Sequence, residues 1–101
     1  MVQVKFEFGE DECEKIASGE KTCMCLLKKS CNPGDYFILY LTRKYIIGPI
    51  VRMTLVEAAH MLYKRDGHDT IKKFEEAWIR KHGEFDPHQE VVVHFFEEVI
   101  G

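Results

Sequence analysis

The apolar and polar positions of this chain follow two different periods, and each period predicts one type of secondary structure. Residues 2–8 (VQVKFEF) alternate with period two, which is the pattern of a strand with one buried face. Residues 9–19 begin with acidic side chains and end at Gly19, a pattern that predicts a short amphipathic helix with a glycine cap. The chain therefore opens with a predicted strand and then a helix.

The rest of the chain predicts four strands and two helices. Gly48 and Pro49 fit a strand only at an edge, at a bulge or at its start. Asp69 is the expected N-cap of the second of these helices, and Gly83 is its expected C-cap. The strands are expected at residues 21–27, 36–42, from 46 onwards and 90–99, and the helices around 55–62 and at 69–82.

The connections between these elements limit the architecture. Few of them are long enough for the crossover that parallel strands need, so an antiparallel sheet or barrel with appended helices is expected. At 101 residues the chain has the length of one domain, and 46% hydrophobic residues suffice for a core. We expect an α+β fold and a single domain over residues 1–101.

Cysteine usage and hydropathy indicate a protein of a reducing compartment. The four cysteines occur in an ordinary globular composition, which favours reduced thiols over a disulfide scaffold. They lack the C-x2-C pairs of structural zinc sites, and the histidines form no H-E-x-x-H pair, so no metal and no other cofactor is expected. The sequence has no apolar run of 18 residues. We expect a cytoplasmic protein that has no membrane partner.

The charge of the chain is unevenly distributed. The formal net charge of -3 argues against a protein that coats nucleic acid by bulk attraction. The middle third, residues 21–52, nevertheless has a single acid, Asp35, against six bases, and we call it the basic segment. Its bases are Lys21, Lys28, Lys29, Arg43, Lys44 and Arg52.

Three stretches of the sequence resemble the ASCH domain, a small PUA-like β-barrel family. They are IASGEKTCMC (16–25), like the family's helix exit and G-x-K-T strand, CNPGDYFIL (31–39), like its P-G-D turn, and FEEAWIRKHGEFDPHQEVVVHFFEEV (74–99), like its closing helix, loop and strand. The resemblance implies a PUA-like antiparallel β-barrel with an N-terminal short helix and a helical insertion before the last strand. It also implies a cleft between the G-x-K strand and that insertion, and an association with RNA.

Some relatives in this family are amidohydrolases that remove an acyl group from N4-acetylcytidine. The resemblance assigns the base to the G-x-K lysine, here Lys21, and an acid to the helical insertion, near Asp66. The family's nucleophilic threonine is replaced by Met24, and the arginine that follows it by Leu26. Thr22 is a substitute nucleophile on the same strand face, but it lies ~7 Å from residue 24 along the strand. The catalytic candidates are therefore Lys21, Thr22 and Asp66, in a degraded triad.

The leading hypothesis is an RNA-binding or modified-nucleoside-binding module with its cleft at the G-x-K strand. The expected RNA-binding residues are Gly19, Lys21, Thr22, Lys28, Lys29, Arg43, Lys44 and Arg52. The alternatives are the amidohydrolase, a ribonuclease and a protein-interaction domain. RNA or a nucleoside is thus the expected partner, a protein partner is the other choice, and the chain is expected to be a monomer or a weak dimer. Trp78, in helical spacing with Phe74, is expected to belong to the core.

Overall fold

The structure, a computed structural model that describes residues 1–100, combines three helices with four strands. The α+β class is therefore confirmed. The helices are α1 (Glu10–Ser18), α2 (Leu55–Leu62) and α3 (Ile71–His82), and the strands are β1 (Cys23–Leu26), β2 (Tyr36–Leu39), β3 (Arg43–Thr54) and β4 (Glu90–Glu98).

The strands form an antiparallel sheet in the order β1-β4-β3-β2, which curls into a half-barrel of the PUA-like type. The two helices α2 and α3 are inserted between β3 and β4, as expected. The register between β3 and β4 shifts between Ile47 and Ile50. Gly48 and Pro49 occupy this irregularity, because proline cannot donate a ladder hydrogen bond.

The sheet separates two apolar clusters. On one face α2 and α3 pack against side chains of β1 and β4, including Cys23 and Cys25. On the other face Ile16 of α1 joins side chains from all four strands, including Met24, and the N-terminal segment packs against them. The alternation of residues 23–25 between the two faces is the one that the sequence predicts.

The prediction of a strand at residues 2–8 is wrong. This segment makes one isolated parallel bridge, between Gln3 and Tyr36. Its period-two alternation is real, since Val4, Phe6 and Phe8 are half-buried against the second cluster. The alternation therefore reflects burial of one side of the segment. Its backbone hydrogen bonds to β2 all involve Tyr36, which accepts from the Val4 N–H and donates to the Val2 carbonyl oxygen.

The boundaries of the central hairpin also differ from the prediction. The strand expected over residues 36–42 ends at Leu39, and Arg43 already starts β3. Leu39 pairs with Arg43, so the three residues between them form the turn. Tyr40 and Leu41 take the left-handed conformation, with φ of 52° and 66°. An apolar run does not distinguish such a turn from a strand, because the turn here is made by apolar side chains.

Helix caps position the inserted pair α2 and α3. Thr54 ends β3 and starts α2, and its hydroxyl accepts a hydrogen bond from the Glu57 N–H in a capping box. The N-cap of α3 is Thr70, whose side chain accepts from the Lys73 N–H, so the prediction of Asp69 is wrong by one residue. The C-caps Gly19 and Gly83 are confirmed, with φ of 87° and 92°.

A fully buried histidine lies in β4. His94 accepts a hydrogen bond at Nε2 from the Ser30 N–H (3.2 Å), so Nδ1 carries the proton and contacts the Val92 carbonyl oxygen at 3.1 Å. Burial lowers the pKa of His94 below its ordinary value. Protonation of Nε2 would break the bond to Ser30 and leave a buried charge.

We expect the free energy of unfolding to decrease as the pH falls below the unfolded histidine pKa of about 6.5. In this pH range the unfolded chain binds a proton at residue 94, whereas the folded chain does not, because the pKa of buried His94 is lower. His94 contributes at most about 1.4 kcal/mol per pH unit to the slope of the free energy of unfolding against pH. Urea unfolding between pH 7.5 and 5 measures it. His94→Gln keeps an acceptor for Ser30 but cannot titrate, so its slope should be shallower, and an unchanged slope would contradict the assignment.

Candidate functional site

A cleft of about 810 Å³ lies between two walls of the described residues. One wall consists of the N-terminal segment around Phe6 and Phe8 together with α1, and the other is one face of α3. Met24 and Leu26 of β1 lie between these walls. The cleft therefore lies between the G-x-K strand and the helical insertion, where the resemblance places it.

Three polar side chains that line this cleft contact one another. Lys21 Nζ contacts Asp66 Oδ1 at 2.8 Å and the Asp66 carbonyl oxygen at 3.3 Å. The second carboxylate oxygen of Asp66 contacts Nε2 of His68 at 3.1 Å. We call Lys21, Asp66 and His68 the polar triad. Only 5% of Lys21 is exposed, although the residue lines the cleft.

The environment of Lys21 keeps its amine charged. Burial alone would lower the pKa of Lys21, but the attraction and hydrogen bond of Asp66 outweigh burial and raise the pKa above its ordinary value. Lys21 is therefore protonated at neutral pH, and it acts as a hydrogen-bond donor rather than as a base. Two of its three N–H groups are used by Asp66, which leaves one donor for a ligand.

The cleft is aromatic along α3 and along the N-terminal segment. Phe74 and Trp78 are stacked, with ring centroids 6.4 Å apart and an interplanar angle of 6°. His68 of the polar triad meets the Phe74 ring edge-on at 5.5 Å. Trp78 is 8% exposed and belongs to the first apolar cluster, so it is a core residue as expected, and it also lines the cleft.

The two walls of the cleft carry different charges. The wall formed by the N-terminal segment and α1 presents Glu7, Asp11 and Glu12, with Lys15 as its base. The α3 wall presents one acid, Glu76, and three bases, which are Lys73, Arg80 and Lys81. A ligand in the cleft therefore meets an acidic side and a basic side.

Within residues 1–100 the cleft offers no activated nucleophile. Met24 stands at the position of the nucleophile, and its thioether has no proton to lose. Burial raises the pKa of the Cys25 thiol far above neutral pH, so its thiolate is not formed. The Thr22 hydroxyl accepts a hydrogen bond from Arg65 Nε at 3.1 Å and lines a different cavity. Of the catalytic candidates, Lys21 and Asp66 meet and Thr22 stays apart.

That second cavity, of about 260 Å³, lies at the C-terminal end of α1. Gly19, Lys21 and Thr22 line it, so Lys21 contributes to both cavities. Tyr45 lines it as well, and its hydroxyl is buried without a hydrogen-bond partner within residues 1–100. Tyr45 packs against Phe37 with centroids 5.1 Å apart, so it serves the core and does not offer a face for stacking a base.

The other bases of the basic segment lie outside the cleft. Arg43 donates two hydrogen bonds to Glu98 and one to the Ala17 carbonyl oxygen. Arg52 pairs with Glu90 at 3.1 Å, and Lys44 lies over the ring of Tyr36.

Lys28 and Lys29 follow β1 and are exposed, but they do not line the cleft. Of the six bases of the basic segment, Lys21 alone lines the cleft, so the segment does not form a basic surface at the candidate site.

Two negative observations apply to residues 1–100. Their acidic, histidine and cysteine side chains form no group of three or more that could hold a metal ion. None of their helices is long and apolar enough to cross a membrane.

Sequence reasoning missed His68 and the α3 face. Lys73, Glu76, Ala77 and Arg80 follow the three- and four-residue spacing of one helix face, and this signal is present in the sequence. His68 has no such periodic signal, because it lies in the loop before α3 and its role comes from its contact with Asp66.

We expect Lys21→Met to lower the free energy of unfolding by about 3–5 kcal/mol, because it removes the cationic partner of the buried Asp66 carboxylate and leaves His68 as its one side-chain contact. The double variant Lys21→Met/Asp66→Asn removes that charge and keeps an oxygen for His68, so it should be the more stable of the two. Arg52→Met breaks an exposed pair and should cost under about 1 kcal/mol. Urea unfolding measures all three. Equal losses for Lys21→Met and Arg52→Met would show that the triad is not a buried network.

Comparison with known proteins bears on the fold. No protein-family model matches the sequence, and no curated protein is a significant match to it. Solved structures do match. An ASCH domain from Lactobacillus crispatus superposes with a TM-score of 0.70 at 16% identity, over 96% of this chain and 78% of that one.

Two further structures cover both chains almost completely. The hypothetical protein PH0355 matches with a TM-score of 0.67 at 18% identity, over 97% of this chain and 96% of its own. Protein PF0455 from Pyrococcus furiosus matches with a TM-score of 0.62 at 15% identity, over 99% of this chain and 96% of its own. At these identities the likeness concerns the arrangement of helices and strands. The chain has the fold of the ASCH domain.

Proposed function

We propose that the protein binds a modified nucleoside in the cleft. The observation that carries the proposal is the polar triad in the lining of an aromatic cleft. A planar base packs against the half-buried rings of Phe6 and Phe8, and the remaining N–H of Lys21 donates to a carbonyl oxygen of the base. The volume of about 810 Å³ lies in the range of small-molecule sites, roughly 300–1,000 Å³.

The charges favour a small ligand over a nucleic acid strand. A strand needs a continuous row of cations for its phosphates. Here Arg43 and Arg52 are paired with acids, and one wall of the cleft carries Glu7, Asp11 and Glu12. These carboxylates repel a chain of phosphates that runs along the cleft, whereas a small ligand has no such chain. We therefore assign recognition to the base and not to a polymer backbone.

The residues of the cleft support binding of the nucleoside and do not support removal of its acyl group. Acyl transfer needs an oxygen or sulfur nucleophile next to its base. Met24 offers neither, Cys25 keeps its proton, and Lys21 is held as an ammonium by Asp66. We also propose that the protein works in the cytoplasm, because all four cysteines are free thiols and three of them, Cys23, Cys25 and Cys31, are buried.

We expect N4-acetylcytidine to change the fluorescence of Trp78, the single tryptophan of the chain, because this residue lines the cleft. Titration of this nucleoside and of the four unmodified ribonucleosides measures affinity and preference. Ala77→Phe fills the cleft from α3 and should weaken binding at least about tenfold, a loss of about 1.4 kcal/mol. Ile79→Phe adds the same ring to an exposed position outside the cleft and should leave binding unchanged.

Two results would overturn the proposal. One is the absence of binding by every nucleoside at millimolar concentration, and the other is an equal effect of Ala77→Phe and Ile79→Phe. Mass spectrometry of the incubated N4-acetylcytidine tests catalysis in the same samples. We expect the acetyl group to be retained, and its release would replace the binding function with the amidohydrolase.

A further inference from the structure

Three of the five bases that line the cleft have no acidic partner. Lys73, Arg80 and Lys81 form no ion pair within residues 1–100. In the basic segment, Arg43 and Arg52 are each paired with a glutamate, and the bases without an acidic partner, Lys28, Lys29 and Lys44, do not line the cleft. An unpaired cation is free to bind an anion without first breaking a contact.

These three bases lie on a single helix face. Residues 73, 76, 77, 80 and 81 of α3 line the cleft, at the spacing of neighbouring turns. Lys73 lies about 10 Å from Arg80 along the helix axis, at about 1.5 Å per residue. A ligand in the cleft therefore has a cation near each end of this stretch of α3.

The position of Lys73 is unfavourable for the helix itself. The first turn of α3 contains no acid and carries Lys72 and Lys73, at the end where the helix dipole favours negative charge. The first turn of α1, by comparison, holds Glu10, Asp11 and Glu12. Stability of α3 therefore does not explain a lysine at position 73, whereas a negatively charged ligand does.

We infer that the ligand of the cleft carries a phosphate on its sugar, and that the row Lys73, Arg80 and Lys81 binds this phosphate. The inference rests on the proposed nucleoside site and names its substrate class as a nucleoside monophosphate. The acids of the opposite wall, Glu7 and Glu12, repel the phosphate and direct it to α3.

The test compares N4-acetylcytidine with its 5′- and 3′-monophosphates by Trp78 fluorescence at low salt. We expect a monophosphate to bind about tenfold more tightly than the nucleoside, as one charge-assisted hydrogen bond provides. This preference should shrink at higher salt, while nucleoside binding stays constant. A pentamer RNA that contains the same nucleotide shows whether the phosphate belongs to a free nucleotide or to a strand.

Two matched variants locate the phosphate. Lys73→Gln/Arg80→Gln/Lys81→Gln should abolish the preference for the monophosphate over the nucleoside. Lys28→Gln/Lys29→Gln/Lys44→Gln removes the same charge outside the cleft and should keep the preference. Lys73→Glu should raise the melting temperature and weaken monophosphate binding, whereas Lys72→Glu should raise the melting temperature alone.

The outcomes separate the two proposals. Equal affinity for nucleoside and monophosphates, or equal effects of the two triple variants, overturns the phosphate inference and leaves the nucleoside site intact. Failure of the nucleoside and of both monophosphates to bind overturns the nucleoside site as well. If inorganic phosphate is the only ligand that binds, and the α3 triple variant abolishes its binding, the result supports the phosphate site at Lys73, Arg80 and Lys81 and overturns the nucleoside site.

Discussion

The buried ion pair between Lys21 and Asp66 is the contact on which the arrangement of the cleft depends. It joins residues that are 45 positions apart, one at the exit of α1 and the other between α2 and α3. Both charged groups are nearly removed from water, which costs several kcal/mol per ion unless each is well paired. Asp66 meets this requirement through two partners, because His68 contacts its second oxygen. Thus the chain cannot move one side of the cleft without uncovering a charge.

The pair also completes the edge of the sheet. Strand β1 is four residues long and has β4 as its neighbour. On the other side, the Thr22 N–H donates to the Arg65 carbonyl oxygen at 2.7 Å, and Lys21 forms an isolated bridge with Asp66. A short edge strand gains little from the sheet alone. The contact between the start of β1 and residues 65–66 therefore fixes Met24 and Leu26, which lie between the walls of the cleft.

The sequence predicted those features that local pattern determines. Alternation separated Met24 from Cys23 and Cys25, and glycine caps marked the ends of α1 and α3, because each depends on a few neighbouring residues. The resemblance to the ASCH domain predicted the half-barrel and the helical insertion before the last strand. Residues 2–8 show the limit of this reasoning, since one-sided burial gives the same period as a paired strand.

Long-range charge pairing was beyond the reach of the sequence. The basic segment appears as one group of cations along the chain, yet in space Arg43 faces Glu98 and Arg52 faces Glu90, each a residue of β4. With Asp66 at Lys21, these acids pair three of the six bases that the linear count includes. Lys73, Arg80 and Lys81 belong to a helix whose composition is mixed, but they share a face that points into the cleft. What a cation of this protein can bind is therefore set by its nearest carboxylate in the fold, and the net charge of the surrounding sequence does not report it.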